Sequence, residues 1–280
     1  MVQDFQLVDV FGKRPFSGNP VAVVSGADNL DADEMLRITR WFNLSETTFL
    51  LPPTDAAADY RVRIFTLERE LPFAGHPTLG TCRAWLEAGN HPKQSGRIVQ
   101  QCEAGLIPIR AVDDWLAFAA PPLIRSGAPD DAKLAEVAGI LGISPTAIID
   151  AQWVDNGPGW IAVMLSSAED VLALEPATYH SSRIDIGVVG PHAEGAEADF
   201  EIRAIFSNHL GALNEDPVTG SLNASVAQWL YRSGRVLGPY VAAQGTRLGR
   251  EGRVFISRDA DGTIWVEGNA VSLFRGEATV

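Results

Sequence analysis

The chain has 280 residues, of which 46% are apolar and 20% charged. That suits one large globular domain or two ordinary ones with a sizeable core. A net charge of −13 argues against nucleic acid as a partner, because phosphate contacts need clustered Lys and Arg, and against an anionic membrane surface. The start, Met1-Val2-Gln3-Asp4-Phe5, has no basic region or long apolar run. No stretch reaches transmembrane length, and Cys82 and Cys102 make no disulfide framework, so a cytoplasmic location is expected.

In chain order, Phe5 to Val10 and Val21 to Val24 read as strands around a Gly/Pro-rich connection. Asp31-Ala32-Asp33-Glu34 is a capping-box pattern, with Met35, Ile38 and Phe42 following at helical spacing. Asn43-Leu44-Ser45-Glu46 leads into a β-rich run that Pro52-Pro53 stops, and Tyr60 to Thr66 alternates as a strand. Pro77 suits a first helical position, which makes His76 the cap and Gly89 the stop. Strands follow around Arg97 to Gln101 and Leu106 to Val112, and Ala119 to Pro129 reads as a crossing segment. A helix is predicted from Asp131 to Leu141 with Gly142 ending it, and a turn at Asn156-Gly157-Pro158-Gly159 precedes a strand from Trp160 to Leu165. Further strands are read at Phe200 to Phe206, Arg253 to Ser257 and Thr263 to Val266, and Gly190 to Glu197 has loop composition.

One design occurs twice. Glu70-Leu71-Pro72-Phe73-Ala74-Gly75-His76-Pro77 and Glu215-Asp216-Pro217-Val218-Thr219-Gly220-Ser221 each run from Glu through Pro to Gly and into a helix. Each helix carries a Trp-Leu pair, Trp85-Leu86 or Trp229-Leu230, and small residues along its length. Upstream lie Arg63-Ile64-Phe65 and Arg203-Ala204-Ile205-Phe206. A helix poor in bulk can run through a crowded interior, so two α+β halves, each a curved sheet around one buried helix, fit the pattern.

Three places could carry chemistry. Glu46, flanked by Leu44, Phe49 and Leu50, is either a desolvated general base or an exposed junction residue. His76 either passes protons near neutral pH or caps its helix. Its spacing to the other histidines fits no familiar metal set, so no metal is expected. Asp216 is either a site residue or a turn residue before Pro217, and Ser221 either a ligand-binding residue or an ordinary N-cap. A helix start with Gly75 or Gly220 favours an anion through its free N–H groups and the macrodipole. Asn19 and Asn156, each in a Gly/Pro turn, read as structural. Gly245-Thr246-Arg247-Leu248-Gly249-Arg250 is neither a phosphate loop nor a dinucleotide fingerprint.

Several segments together resemble the PhzF family of phenazine-biosynthesis proteins. They are VDVFGKRPFSGNPVAVV from Val8, SETTFLL from Ser45, ELPFAGHPTLG from Glu70, NEDPVTGSLNASVAQWL from Asn214 and AAQGTRLGREG from Ala242. They follow the family's order over nearly the whole chain. The resemblance implies a diaminopimelate-epimerase-like fold with two similar halves and the active site between them. It implies Glu46 as the acid–base residue, with His76 and Asp216 beside it as catalytic residues. Gly75, Gly220 and Ser221 would bind substrate. The family's name-giving member moves a proton within a cyclic dihydro-hydroxyanthranilate without a cofactor, and family members are often dimeric. Related epimerases use a thiol on each face of the substrate. Here the two positions hold His76 and Ser221, which does not fit two-thiol chemistry. The chain departs from the family pattern at Arg250-Glu251-Gly252, where Arg-Pro and a small residue are expected.

The expected fold class is therefore α+β, with two similar halves, each a curved, mostly antiparallel sheet around a central helix. The first half covers 1–116, to which a C-terminal strand at 271–280 could return, and the second covers 117–270. The expected function is a cofactor-independent isomerase moving a proton within a small, cyclic carboxylic acid, acting as a homodimer with neither nucleic acid nor membrane as partner. The alternatives are a non-catalytic small-acid binding protein, and lyase or hydrolase chemistry on a related acid.

Overall fold

The computed structural model describes residues 2–112 and 115–279. It divides into two compact units, Met1–Ala119 with Glu267–Val280, and Ala120–Val266. Strands dominate, and the described residues form five α-helices.

The first unit contains β1 (Val2–Val10), β2 (Asn19–Val24), α1 (Ala32–Phe42), β3 (Glu46–Leu51), β4 (Tyr60–Thr66), β5 (Glu70–Leu71), α2 (Gly75–Glu87), β6 (Arg97–Cys102), β7 (Gly105–Val112) and β8 (Trp115–Ala119). β1 pairs antiparallel with β2, β2 parallel with β3, β3 antiparallel with β4 and β4 parallel with β6. β6, β7 and β8 continue antiparallel, and the short β5 lies antiparallel on β4.

The second unit contains β9 (Arg125–Gly127), α3 (Asp131–Leu141), β10 (Asp150–Asp155), β11 (Trp160–Met164), α4 (Ala168–Ala173), β12 (Asp185–Pro191), β13 (Phe200–Ser207), β14 (Leu213–Asp216), α5 (Gly220–Arg232), β15 (Tyr240–Gln244) and β16 (Gly252–Arg258). Its pairings are β10–β11 antiparallel, β11–β12 parallel, β12–β13 antiparallel, β13–β15 parallel and β15–β16 antiparallel. Here β14 lies antiparallel on β13, as β5 does on β4. The last strand, β17 (Ile264–Thr279), runs antiparallel to β1 and also pairs with β8. It thereby closes the ladder of the first unit on itself, as in a barrel.

The two long apolar faces explain why these strands form. In β2, β3, β11 and β12 almost every residue is buried, the pattern of a sheet covered on both faces rather than one. In the first unit α2 packs on β1, β2, β3 and β8, while Met35 of α1 joins Val24, Phe49 and Phe65 in a second cluster. In the second unit Val137 and Leu141 of α3 and Val171 of α4 pack with Ile161, Val163, Ile186 and Val188. The helix α2 fits its crowded place because it lacks bulk. A Cβ on Gly80 would lie 2.3 Å from Val21 Cγ1.

Helix ends follow local chemistry. The Asp31 carboxylate accepts from Glu34 N at 2.9 Å, and Glu34 Oε2 accepts from Asp31 N at 2.9 Å, the capping box read in the sequence. α3 runs over the predicted Asp131–Leu141 and ends on Gly142 at φ 71°. The start of α2 differs from expectation. Its N-cap is Ala74, so His76 is the second helical residue and Pro77 the third. Proline is tolerated there because the N–H groups of the whole first turn lack intrahelical acceptors.

Candidate active site

In the first unit, Glu46 opens β3 directly after the turn that ends α1, and His76 sits in the first turn of α2. The fold brings them together: His76 Nε2 lies 3.5 Å from Glu46 Oε2. The imidazole is 3% exposed and the Glu46 side chain 16% exposed, and the two atoms that face each other, His76 Nε2 and Glu46 Oε2, are both buried. The other ring nitrogen, Nδ1, meets Asn19 Nδ2 at 3.3 Å. Asn19 is wholly buried at the start of β2. The Asp9 carboxylate stabilises the loop before it, accepting from Ser17 N at 3.1 Å and Gly18 N at 2.9 Å.

Burial pulls the His76 pKa down to about 3, with the Pro20 carbonyl opposing weakly. The distance to Glu46 would suit an ion pair, but the imidazole is neutral at physiological pH, so the contact is carboxylate to neutral ring. A neutral imidazole offers one N–H donor and one lone pair. Beside Glu46 it can relay a proton or donate a hydrogen bond without bringing charge. No side-chain capping bond is made at the start of α2, which removes the capping role for His76. Cys82, on the same helix, has its thiol pushed up to about 12 by burial, so it carries no thiolate at neutral pH.

In the second unit, Asp216 ends β14 and its carboxylate accepts from Thr219 Oγ1 at 2.6 Å. Thr219 is the N-cap of α5, Gly220 its first residue and Ser221 its second, which places Ser221 where His76 stands in α2. Ser221 is therefore not the N-cap. Its hydroxyl oxygen accepts from Trp160 Nε1 at 3.1 Å, and its carbonyl accepts from Asn156 Nδ2 at 2.8 Å. Gln244 braces the turn before the helix, accepting from Thr219 N and Asn223 Nδ2 and donating to Thr219 Oγ1 and the Asp216 carbonyl. Each unit also carries a two-pronged Arg–Glu pair just upstream of its helix. Arg63 donates to Glu70 at 2.8 and 2.6 Å. Arg203 donates to Glu215 at 3.1 and 2.8 Å, and to the carbonyls of Val171 and Leu174. These pairs fix the short strand that feeds each helix.

The structure thus joins Glu46 with His76 in one unit, and groups Asp216, Gly220 and Ser221 around one helix start in the other. Gly75 is the first residue of α2, and its amide lies in the unpaired first turn. Sequence reasoning missed Asn19, Asn156, Trp160 and Gln244. The two asparagines were visible as turn residues, and Gln244 lies inside the AAQGTRLGREG segment. Nothing local marks Trp160, which is 61 residues from Ser221.

The sequence pattern of the PhzC-PhzF family, described as phenazine biosynthesis-like protein, matches residues 8–276. The chain belongs to that family. It is 33% identical to a trans-2,3-dihydro-3-hydroxyanthranilate isomerase from Pseudomonas fluorescens, over 98% of this chain and 99% of that protein. It is 35% identical to antisense-enhancing sequence 1 of Schizosaccharomyces pombe, over 99% and 98% of the two. The solved structure of a PhzF-family protein from Bacillus anthracis shares the fold, with a TM-score of 0.82 over the whole of both chains at 22% identity. The expected family is therefore the observed one, and the chain's enzyme class is that of its isomerase relatives.

Proposed function

We propose that this PhzF-family member is a cofactor-independent isomerase that shifts a proton within a small, cyclic carboxylic acid. The observation that carries the reading is the largely buried Glu46 carboxyl group held 3.5 Å from a buried imidazole that burial keeps neutral. Glu46 takes a proton from a carbon next to an activating group, and the same proton, or one exchanged with it, returns to another carbon. Substrate and product have the same composition, so no other reactant is required. His76 assists by donating or relaying a proton. Each helix start by itself, with the amide of Gly75 in one unit and those of Gly220 and Ser221 in the other, is suited to hold a carboxylate or a developing enolate-like charge, because first-turn N–H groups are unpaired and preorganised. Asp216 is assigned to the same reaction as a further acid–base group.

The matched pairings of β1–β7 and β10–β16, the two Arg–Glu pairs and the two helix starts support a duplication of one α+β half as the origin of the chain. A homodimer is part of the proposal, on family kinship, and sedimentation tests it.

The reaction is tested by NMR in deuterated water, with trans-2,3-dihydro-3-hydroxyanthranilate and a panel of small cyclic carboxylic acids. The wild type should introduce deuterium at one carbon. Glu46→Gln should bind the same acid and exchange nothing. Equal exchange by the variant would remove Glu46 from the chemistry.

A further inference from the structure

The repeated segment allows a comparison within one chain. Glu70-Leu71-Pro72-Phe73-Ala74-Gly75 and Glu215-Asp216-Pro217-Val218-Thr219-Gly220 match in the spacing of Glu, Pro and Gly. A buried glutamine braces the helix that follows each, Gln100 of β6 and Gln244 of β15. Both meet the fourth helical residue. Gln100 Nε2 donates to Thr78 Oγ1 at 2.9 Å, and Gln244 Oε1 accepts from Asn223 Nδ2 at 2.8 Å. Two neighbouring positions differ in kind. Leu71 and Ala74 of the first copy are Asp216 and Thr219 in the second. The carboxylate and the hydroxyl that bonds it therefore occur together, in one copy.

Hydrogen positions in that copy follow from a group that has no choice. A backbone N–H can only donate, and that of Thr219 donates to Gln244 Oε1 at 3.0 Å. This settles which end of the Gln244 amide carries the nitrogen. Gln244 Nε2 then donates to the Asp216 carbonyl at 3.2 Å and to Thr219 Oγ1 at 2.9 Å. A hydroxyl that accepts from an amide keeps its own hydrogen for another acceptor, and Asp216 Oδ2 takes it at 2.6 Å. Gln244 is wholly buried, and Thr219 and Asp216 are nearly so. An N-cap threonine ordinarily turns its hydroxyl onto the first helical turn. Thr219 is the N-cap of α5 but makes no such bond, and its hydroxyl serves Asp216 instead.

We infer that Gln244 is a positioning residue for Asp216: through Thr219 it commits Oδ2 as a hydrogen-bond acceptor, so that a proton Asp216 takes or gives in the reaction travels on Oδ1. The inference deepens the proposed isomerase and rests on it for the role of Asp216. In the first copy the same glutamine position has no carboxylate to orient, because Leu71 stands where Asp216 does.

The test follows the Asp216 carboxyl carbon by NMR through a pH titration of the ligand-free wild type, Gln244→Met, Thr219→Val and Thr219→Ser. Thr219→Val removes the donor to Oδ2 and should raise the titration midpoint by about one pH unit, the scale of one hydrogen bond to a charged group. Thr219→Ser keeps the hydroxyl and should restore the wild-type midpoint. Gln244→Met frees the hydroxyl to turn and should also raise it, although Gln244 acts on the carboxylate through Thr219. A Gln244→Met midpoint equal to that of the wild type would overturn the inference and leave the Glu46 chemistry intact. Should Gln244→Met not fold, Thr219→Val reads the same chain. The assigned Gln244 side-chain amide resonances should move in it and stay in Thr219→Ser, and resonances unmoved in both would overturn the inference. Deuterium exchange into trans-2,3-dihydro-3-hydroxyanthranilate and the acid panel then tests the tie to the reaction. Thr219→Val should lower kcat by about tenfold with KM nearly kept. Shifted midpoints with unchanged exchange would remove Asp216 from the chemistry and overturn the inference. Wild-type protein that exchanges none of the acids would instead overturn the isomerase reading, whatever the titration shows.

Discussion

Acid should destabilise the fold through His76, and the size of the effect follows from its burial. The ring has an ordinary pKa of 6.5, which burial lowers to about 3 in the folded protein. Between those values the unfolded chain binds a proton that the native state refuses. Stability is then full above pH 6.5 and is lost as the pH falls towards 3, at about 1.4 kcal/mol per pH unit. By pH 4.5 the loss from this one ring is on the order of 2–3 kcal/mol, a large share of a typical folding free energy. The assay is urea denaturation at steps from pH 7.5 to 4.5, for the wild type and for His76→Asn, which keeps a polar group near Asn19 but cannot ionise. Carboxylates that titrate in this range are shared by both proteins, so the difference between the two curves isolates the ring. The variant should lose a fixed amount of stability at high pH and then converge on the wild type, or pass it, as the pH falls. Parallel curves would refute the reasoning. So would imidazole 15N shifts showing a charged His76 near pH 6 in the folded protein.

Three further outcomes follow from other parts of the structure. Glu46→Gln should lower turnover by about 10²–10⁴-fold, the usual contribution of a general base, with ligand affinity largely kept, read by steady-state kinetics beside calorimetry. Gly80→Ala should destabilise by about 1–3 kcal/mol in chemical denaturation, because the added Cβ would press on Val21 Cγ1 and Val10 Cγ2 in a filled interior. Arg203→Leu should cost about 3–5 kcal/mol, because it strands the Glu215 carboxylate, whose side chain is 10% exposed, without its cation. Arg203→Leu/Glu215→Leu should recover much of that loss, and a double variant no better than the single would refute the account.

Features that depend on near neighbours in the chain were legible in advance. Asp31 and Glu34 cap each other three residues apart, and α3 ends on Gly142 because φ 71° suits glycine. The strands at Tyr60–Thr66 and Phe200–Ser207 were visible, as was the repeated Glu-to-Gly segment before each buried helix. β12 was not, and its glycines explain why. Read locally, Gly187 and Gly190 weaken a strand. In the fold, a Cβ on Gly187 would lie 2.5 Å from Leu222 Cδ1 of α5, so the gap in the strand is where the helix packs. The six-residue α4 was too short to show a helical period.

The sequence by itself determined the family and a fold of many strands with few helices, and it named the candidate acid–base residues, because these rest on residue types in fixed local order. It left open whether Glu46 is an exposed junction residue and His76 a cap. Only the tertiary structure decided those points. Packing β2, β3 and α2 together sets the carboxylate 3.5 Å from the imidazole and buries the ring. The removal of water from that ring keeps it neutral. The partners that orient the two helix starts, Asn19 for His76 and Trp160 for Ser221, stand 57 and 61 residues away along the chain. No spacing rule links residues so far apart, since their meeting depends on strand pairing and on how each helix is buried in its unit.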